Sequence, residues 1–161
     1  MCTYCGCQSL TAIKELTEEH DTVVDLAGHV ALAHRAGDIA LMAELARRIS
    51  AVLAPHNEVE EHAFFPPMAA EFPDYIATLE DEHRLIHDVL EQAADGVPAD
   101  SGWPAALMDT LALLREHILK EQDGLFPMSL TILSPEQWDV LDSVRAGFVD
   151  ARARQDVHGA T

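Results

Sequence analysis

Apolar residues recur at three- and four-residue steps in four long segments separated by Gly, Pro and Asp clusters, while β-branched alternation is almost absent. The pattern predicts helices throughout. The first segment places Leu16, His20, Val23, Ala27 and Val30 on one stripe, opens near Ser9 or Thr11 and closes before Gly37-Asp38. The second carries Leu45, Ile49, Val52, His56, Val59 and Ala63 and is expected to stop at Pro66-Pro67, because proline brings no backbone donor to a helix. A third runs from about Asp74 through Ile76, Leu79, His83, Ile86, Leu90 and Ala93 to the break at Asp95-Gly96-Val97-Pro98. The fourth starts near Ser101, carries Leu107, Leu111, Leu114, His117 and Glu121, and is expected to end at Pro127. A shorter fifth helix opens on Ser134-Pro135-Glu136-Gln137, where Ser suits the N-cap, Pro the first turn and Gln the third position of a capping box. Its amphipathic pattern continues through Trp138, Leu141, Val144 and Phe148.

Short connections between long helices favour antiparallel neighbours, so the expected fold is all-α, an up-down-up-down four-helix bundle with an additional C-terminal helix packed outside it. The boundaries read as a Cys-containing tail over 1–8, a bundle over 9–130, the C-terminal helix over 131–154 and a frayed end over 155–161.

Length and charge narrow the functions this fold can serve. At 161 residues and 48% hydrophobic, the chain forms one domain with a core of its own. Ten Lys and Arg against 28 Asp and Glu give a net charge of -18, which repels phosphate backbones and anionic membrane surfaces. Nucleic acid and membrane partners are therefore not expected. No apolar run approaches the roughly 20 residues of a membrane span, and the basic-then-apolar start of a signal peptide is missing, so a cytoplasmic protein is expected. Nine histidines in so acidic a chain call for a chemical reason.

That reason lies in an internal repeat. His56-x3-Glu60-x4-Phe65-Pro66 matches His117-x3-Glu121-x4-Phe126-Pro127 at an offset of 61, and Glu18-Glu19-His20 answers Asp81-Glu82-His83 at an offset of 63. Two similar helical hairpins follow. Four histidines, one per helix, then face the bundle axis, and in two helices a glutamate follows one turn later on nearly the same face. One histidine on an apolar stripe is more often a core residue than a ligand, but four in phase with two glutamates converge on one point. Buried carboxylates cost several kcal/mol unless compensated, and a pair of divalent metals supplies that compensation. His87, four residues after His83, has no counterpart at Val24, so His83, His87 and His117 are expected on one metal and His20 with His56 on the other. Glu60 and Glu121 would bridge. The second metal is then one ligand short, which leaves a position open to a small molecule; imidazole and carboxylate together suit iron, manganese or zinc.

His20, His56-x3-Glu60, His83-x3-His87 and His117-x3-Glu121 together resemble the ligand pattern of hemerythrins and the wider HHE cation-binding family, over roughly residues 10 to 130. The resemblance implies two iron ions in a non-haem, oxo- or hydroxo-bridged site. It also implies oxygen binding or sensing, iron handling, or reactions with peroxide or nitric oxide. Oxygen-carrying hemerythrins place an aspartate five residues after the last histidine, where this chain has Gln122; Glu121 at four residues matches the HHE form. A scavenging or catalase-like enzyme working on oxygen, peroxide or nitric oxide is the expectation, with an oxygen or iron sensor without turnover as the alternative.

Other residues read as background. Glu58, Glu61 and His62 are out of phase with the stripe and are expected on a solvated face, as are the acidic runs Glu18-Glu19 and Glu80-Asp81-Glu82. Phe65, Phe126, Leu114 and Ile86 would line the site as core residues, and Pro55 would kink the second helix to aim His56. Cys2, Cys5 and Cys7 lack a fourth zinc ligand, and a redox or accessory metal role is the functional reading open to them.

Overall fold

The computed structural model describes residues 10–158. Five long helices account for nearly all of it, and no strand forms among the described residues. Helix α1 spans Thr11–Ala36 and α2 spans Ile39–Val59, followed by a five-residue π-helical turn, Glu60–Phe64, and an α-helical continuation, Phe65–Ala69. Helix α3 spans Pro73–Glu91. Helix α4 spans Trp103–Lys120 and repeats the device of α2, with a π turn at Glu121–Leu125 and a continuation at Phe126–Ile132. Helix α5 spans Pro135–His158.

The helix ends follow local chemistry. Gly37 takes the left-handed conformation at φ 70°, which a residue without Cβ adopts at little cost, and its N–H donates to carbonyls of the last turn of α1. Asp38 caps α2 by accepting the Leu41 N–H at 2.9 Å. The capping box of α5 forms as its sequence predicts: the Ser134 N–H donates to Gln137 Oε1 at 2.8 Å, and the Gln137 N–H donates to Ser134 Oγ at 3.3 Å.

Two expected ends are corrected. The second and fourth helices do not stop at Pro66-Pro67 and Pro127 but run on to Ala69 and Ile132. Each proline falls in the first turn after a π turn, where the helical register has just changed and a missing N–H breaks little.

Helix α1 lies along α2 and α4, and α3 lies along the same two. The buried apolar side chains form two clusters. One holds Val23, Leu53, Ile86 and Leu114; the other holds Leu16, Val59, Leu79, Phe64, Phe65, Leu125 and Phe126. Each helix thus passes from one cluster to the other, and the residues at the crossing are His20, His56, His83 and His117. Helix α5 covers the second cluster with Trp138, Leu141, Val144 and Phe148. No described helix is long and apolar enough to cross a membrane.

Candidate metal centre

The layer between the two clusters is polar and sealed. His20, His56, Glu60, His83, His117 and Glu121 are all at most 4% exposed. They fall into two groups that share both glutamates: His20, His56, Glu60 and Glu121, and His83, His117, Glu60 and Glu121. Within each group the ligand atoms lie within 4.8 Å of one another. Glu121 carboxylate oxygens stand 3.1 Å from His20 Nε2 and 3.0 Å from His117 Nε2, and Glu60 Oε2 stands 3.4 Å from both His56 Nε2 and His83 Nε2.

The π turns belong to this geometry. Each begins at a shared glutamate, Glu60 or Glu121, one helical turn after a ligand-type histidine. π turns of this kind concentrate at functional sites, where one extra residue per turn re-aims side chains. Tyr75 of α3 donates its hydroxyl to the Lys120 carbonyl at 2.7 Å, beside the second π turn. Gly124 makes that approach possible, since a Cβ there would come within 2.6 Å of the Tyr75 hydroxyl oxygen.

Both oxygens of Glu60 and of Glu121, with His56 Nε2 and His83 Nε2, are buried without a hydrogen-bond partner. Native interiors rarely leave such atoms unsatisfied. The electrostatics show what the site lacks. Burial works to lower the pKa of His56, but Glu60, Glu19 and Glu121 together outweigh it and hold it at about 10. His83 is likewise raised against burial, to about 9, by Glu60, Glu61 and Glu121. Burial pushes Glu121 up, yet His117 and His20 hold it well below the usual carboxylate range. The two carboxylates demand positive charge, and imidazoles aimed inward through Nε2 are the donors that divalent ions accept. The residues fit a metal pair.

The outward nitrogen of each histidine has a partner. His56 Nδ1 lies 2.8 Å from Glu19 Oε2, His117 Nδ1 2.9 Å from Glu82 Oε2 and His83 Nδ1 2.8 Å from Glu61 Oε1, while His20 Nδ1 lies 3.2 Å from the Gln122 side-chain amide. The three carboxylates can only accept, so their bonds fix the tautomer of His56, His83 and His117 that leaves Nε2 free for a metal and raise its basicity. Cations stand behind two of the carboxylates: Lys120 bonds Glu82, and Arg145 of α5 bonds Glu15 and reaches Glu19 at 2.7 Å. Burial works to raise Glu19, but His56 and Arg145 take it down to about 2. The Phe-Pro phenylalanines of the repeat stack on the remaining rings, Phe126 on His20 at 5.9 Å and Phe65 on His83 at 5.5 Å.

The helical period puts Glu19, Glu61 and Glu82 on solvated faces; the structure turns all three to histidines of neighbouring helices. A signal was present, because Glu19 and Glu82 each precede a histidine of the repeat, and Glu61 and Gln122 each follow a shared glutamate. His87 is not brought to the centre. Its side chain is 59% exposed, because the inward stripe after His83 continues through Ile86 and Leu90, leaving His87 on the outer edge. The expected three-to-two division of histidines, and the vacancy derived from Val24, therefore have no counterpart in this geometry. Each group has two histidines. His62, 65% exposed, sits outside as expected. Cys2, Cys5 and Cys7 lie outside the described residues.

A family model described as the Hemerythrin HHE cation binding domain matches residues 11–129. The chain belongs to this hemerythrin HHE family. No curated protein and no solved structure gives a match. In this hemerythrin-family chain the matched span contains all six converging residues together with Glu19, Glu61, Glu82 and Gln122; Arg145 lies beyond it.

Proposed function

We propose that this hemerythrin-family protein carries a non-haem pair of iron ions and uses an open coordination position there to bind or transform oxygen, peroxide or nitric oxide. The observation that carries the reading is the set of buried, unpartnered ligand atoms on Glu60, Glu121, His56 and His83. His20 and His56 would hold one ion and His83 and His117 the other, with Glu60 and Glu121 shared. Four histidines and two carboxylates suit iron, and two protein imidazoles per ion leave room for an outside molecule. Such a pair, when bound, supplies redox-active positions that a small molecule can occupy.

The chain's own residues do the rest. Glu19, Glu61 and Glu82 hold three of the imidazoles in the tautomer that frees Nε2, Gln122 positions the fourth, and the two apolar clusters keep bulk water from the centre. A cavity of about 10 Å³, room for about one water-sized molecule, is walled by His20, His56, His83 and His117 with Leu53, Asn57, Ile86 and Leu114.

An up-down-up-down bundle over residues 9–130, with the helix over 131–154 packed on it, is part of the same reading. It is supported by the order in which successive helices meet the two clusters, which reverses from each to the next. Adding azide to the iron-loaded, oxidised protein tests the function: a new visible absorption band is expected, and an unchanged spectrum at saturating azide would contradict an open position.

A further inference from the structure

Asn57 has no part in the ligand set, yet it stands at the centre's door. It follows His56 directly on α2 and forms part of the wall of the small cavity bounded by the four histidines. Its Oδ1 is buried and makes no hydrogen bond. The cavity's other walls are Leu53, Ile86 and Leu114, so among the described residues Asn57 is its only polar one besides the four histidines. On its other side Asn57 borders a groove of about 450 Å³ between α2 and α3, where Glu58, Glu61, His83, Arg84 and His87 also lie. Asn57 and His83 are the two residues common to both spaces.

A buried amide oxygen without a partner is costly, and a long helix could place leucine or alanine here with less penalty. Whichever end of the amide takes this inner position lacks a protein partner, and a ligand would supply one. We propose that the Asn57 side-chain amide is the hydrogen-bonding contact for the small molecule bound at the open position beside this cavity, and that it favours molecules whose free end accepts a hydrogen bond. This rests on the open-position reading above. An amide carries an acceptor and a donor on one planar group, and a half-turn about its last torsion exchanges them. Nδ2–H then meets the acceptor end of a ligand such as azide. The histidines cannot do the same, because their Nε2 atoms face the metal pair and their Nδ1 atoms are engaged by Glu19, Glu61, Glu82 and Gln122.

The test is an azide titration of the iron-loaded, oxidised protein, followed by the visible band, in the parent and in Asn57→Ala and Asn57→Leu. Alanine enlarges the cavity and leucine keeps its bulk; both remove the amide. With iron content and helicity matched to the parent, both variants should bind azide about tenfold more weakly, the order expected for one lost hydrogen bond to a charged group. Parent-like affinity in both variants would overturn the proposal, even if association and dissociation both became faster. Weakening in the leucine variant alone would overturn it too, since that is a steric effect. Failure of the parent itself to bind azide, with two irons present, would instead remove the open-position reading and this inference with it.

Discussion

Gln122 holds its amide 3.2 Å from His20 Nδ1, in the place where the first half of the repeat sets the Glu61 carboxylate 2.8 Å from His83 Nδ1. The positions are equivalent, each following a shared glutamate, but one partner is neutral and the other charged. Three of the four imidazoles therefore lean on carboxylates and the fourth on an amide. An uncharged partner leaves His20 the weakest electron donor of the four, so the two groups would offer metal ions electronically unequal positions.

Gln122→Glu should remove the inequality. The variant should keep its metal and show a lower midpoint potential for the first reduction, because a carboxylate on His20 favours the more highly charged ion. Potentiometric titration followed by the charge-transfer bands measures this. A potential unchanged from the parent would show that the amide has no electronic consequence.

Glu19→Gln and Glu82→Gln remove charged partners from His56 and His117. Each should lower metal affinity roughly 10–100-fold while preserving the fold, the usual consequence of losing such a bond. Arg145→Ala should weaken affinity in the same direction but less, since it acts on His56 only through Glu19. Competition with a chelator gives the ranking; an Arg145 variant that lost more metal than Glu19→Gln would refute the order of action.

The inward stripe of histidines and glutamates was legible in the sequence because the axis-facing period is a property of each helix alone, and the repeat showed it twice. The partners of His56, His83 and His117 were not. Glu19 and Glu82 precede a stripe histidine by one residue, and Glu61 follows Glu60 by one. A single step turns a helical side chain by about 100°, toward the seam with a neighbour. Helical period cannot distinguish a seam from solvent; only the packing of α1 on α2 and of α3 on α2 and α4 does so. His87 shows the reverse error. One turn past His83 is near enough in phase to suggest a shared metal, yet Ile86 and Leu90 take the inward positions. The π turns were hidden as well, although the Phe-Pro that follows each marks the register change.

His87 gives a sharp comparison with its neighbour. His87→Ala should retain metal as the parent does, whereas His83→Ala should lose at least one ion per chain. Equal losses in the two variants, measured by elemental analysis, would return His87 to the ligand set. By the same logic Glu60→Ala or Glu121→Ala should lose metal far more severely than His62→Ala.

Loading should also be linked to protons. In the metal-free protein His56 and His83 are held at about 10 and about 9, above the ordinary value of 6.5. Stability from these charged imidazoles is complete below the unfolded value of 6.5 and is lost progressively as pH rises from there through the folded values of about 9 and about 10. The chelated protein should therefore melt at progressively lower temperature across that window. Near neutrality, metal must displace the ring protons, so uptake should acidify a weakly buffered solution. Metal binding with no proton release would show that the imidazoles are already neutral.

The most direct measurement of the whole account is metal content per chain on protein purified without added chelator, taken together with its absorption spectrum. Two irons per chain are expected, with near-ultraviolet charge-transfer bands of a bridged ferric pair. One zinc per chain, or no metal in a folded protein, would contradict it.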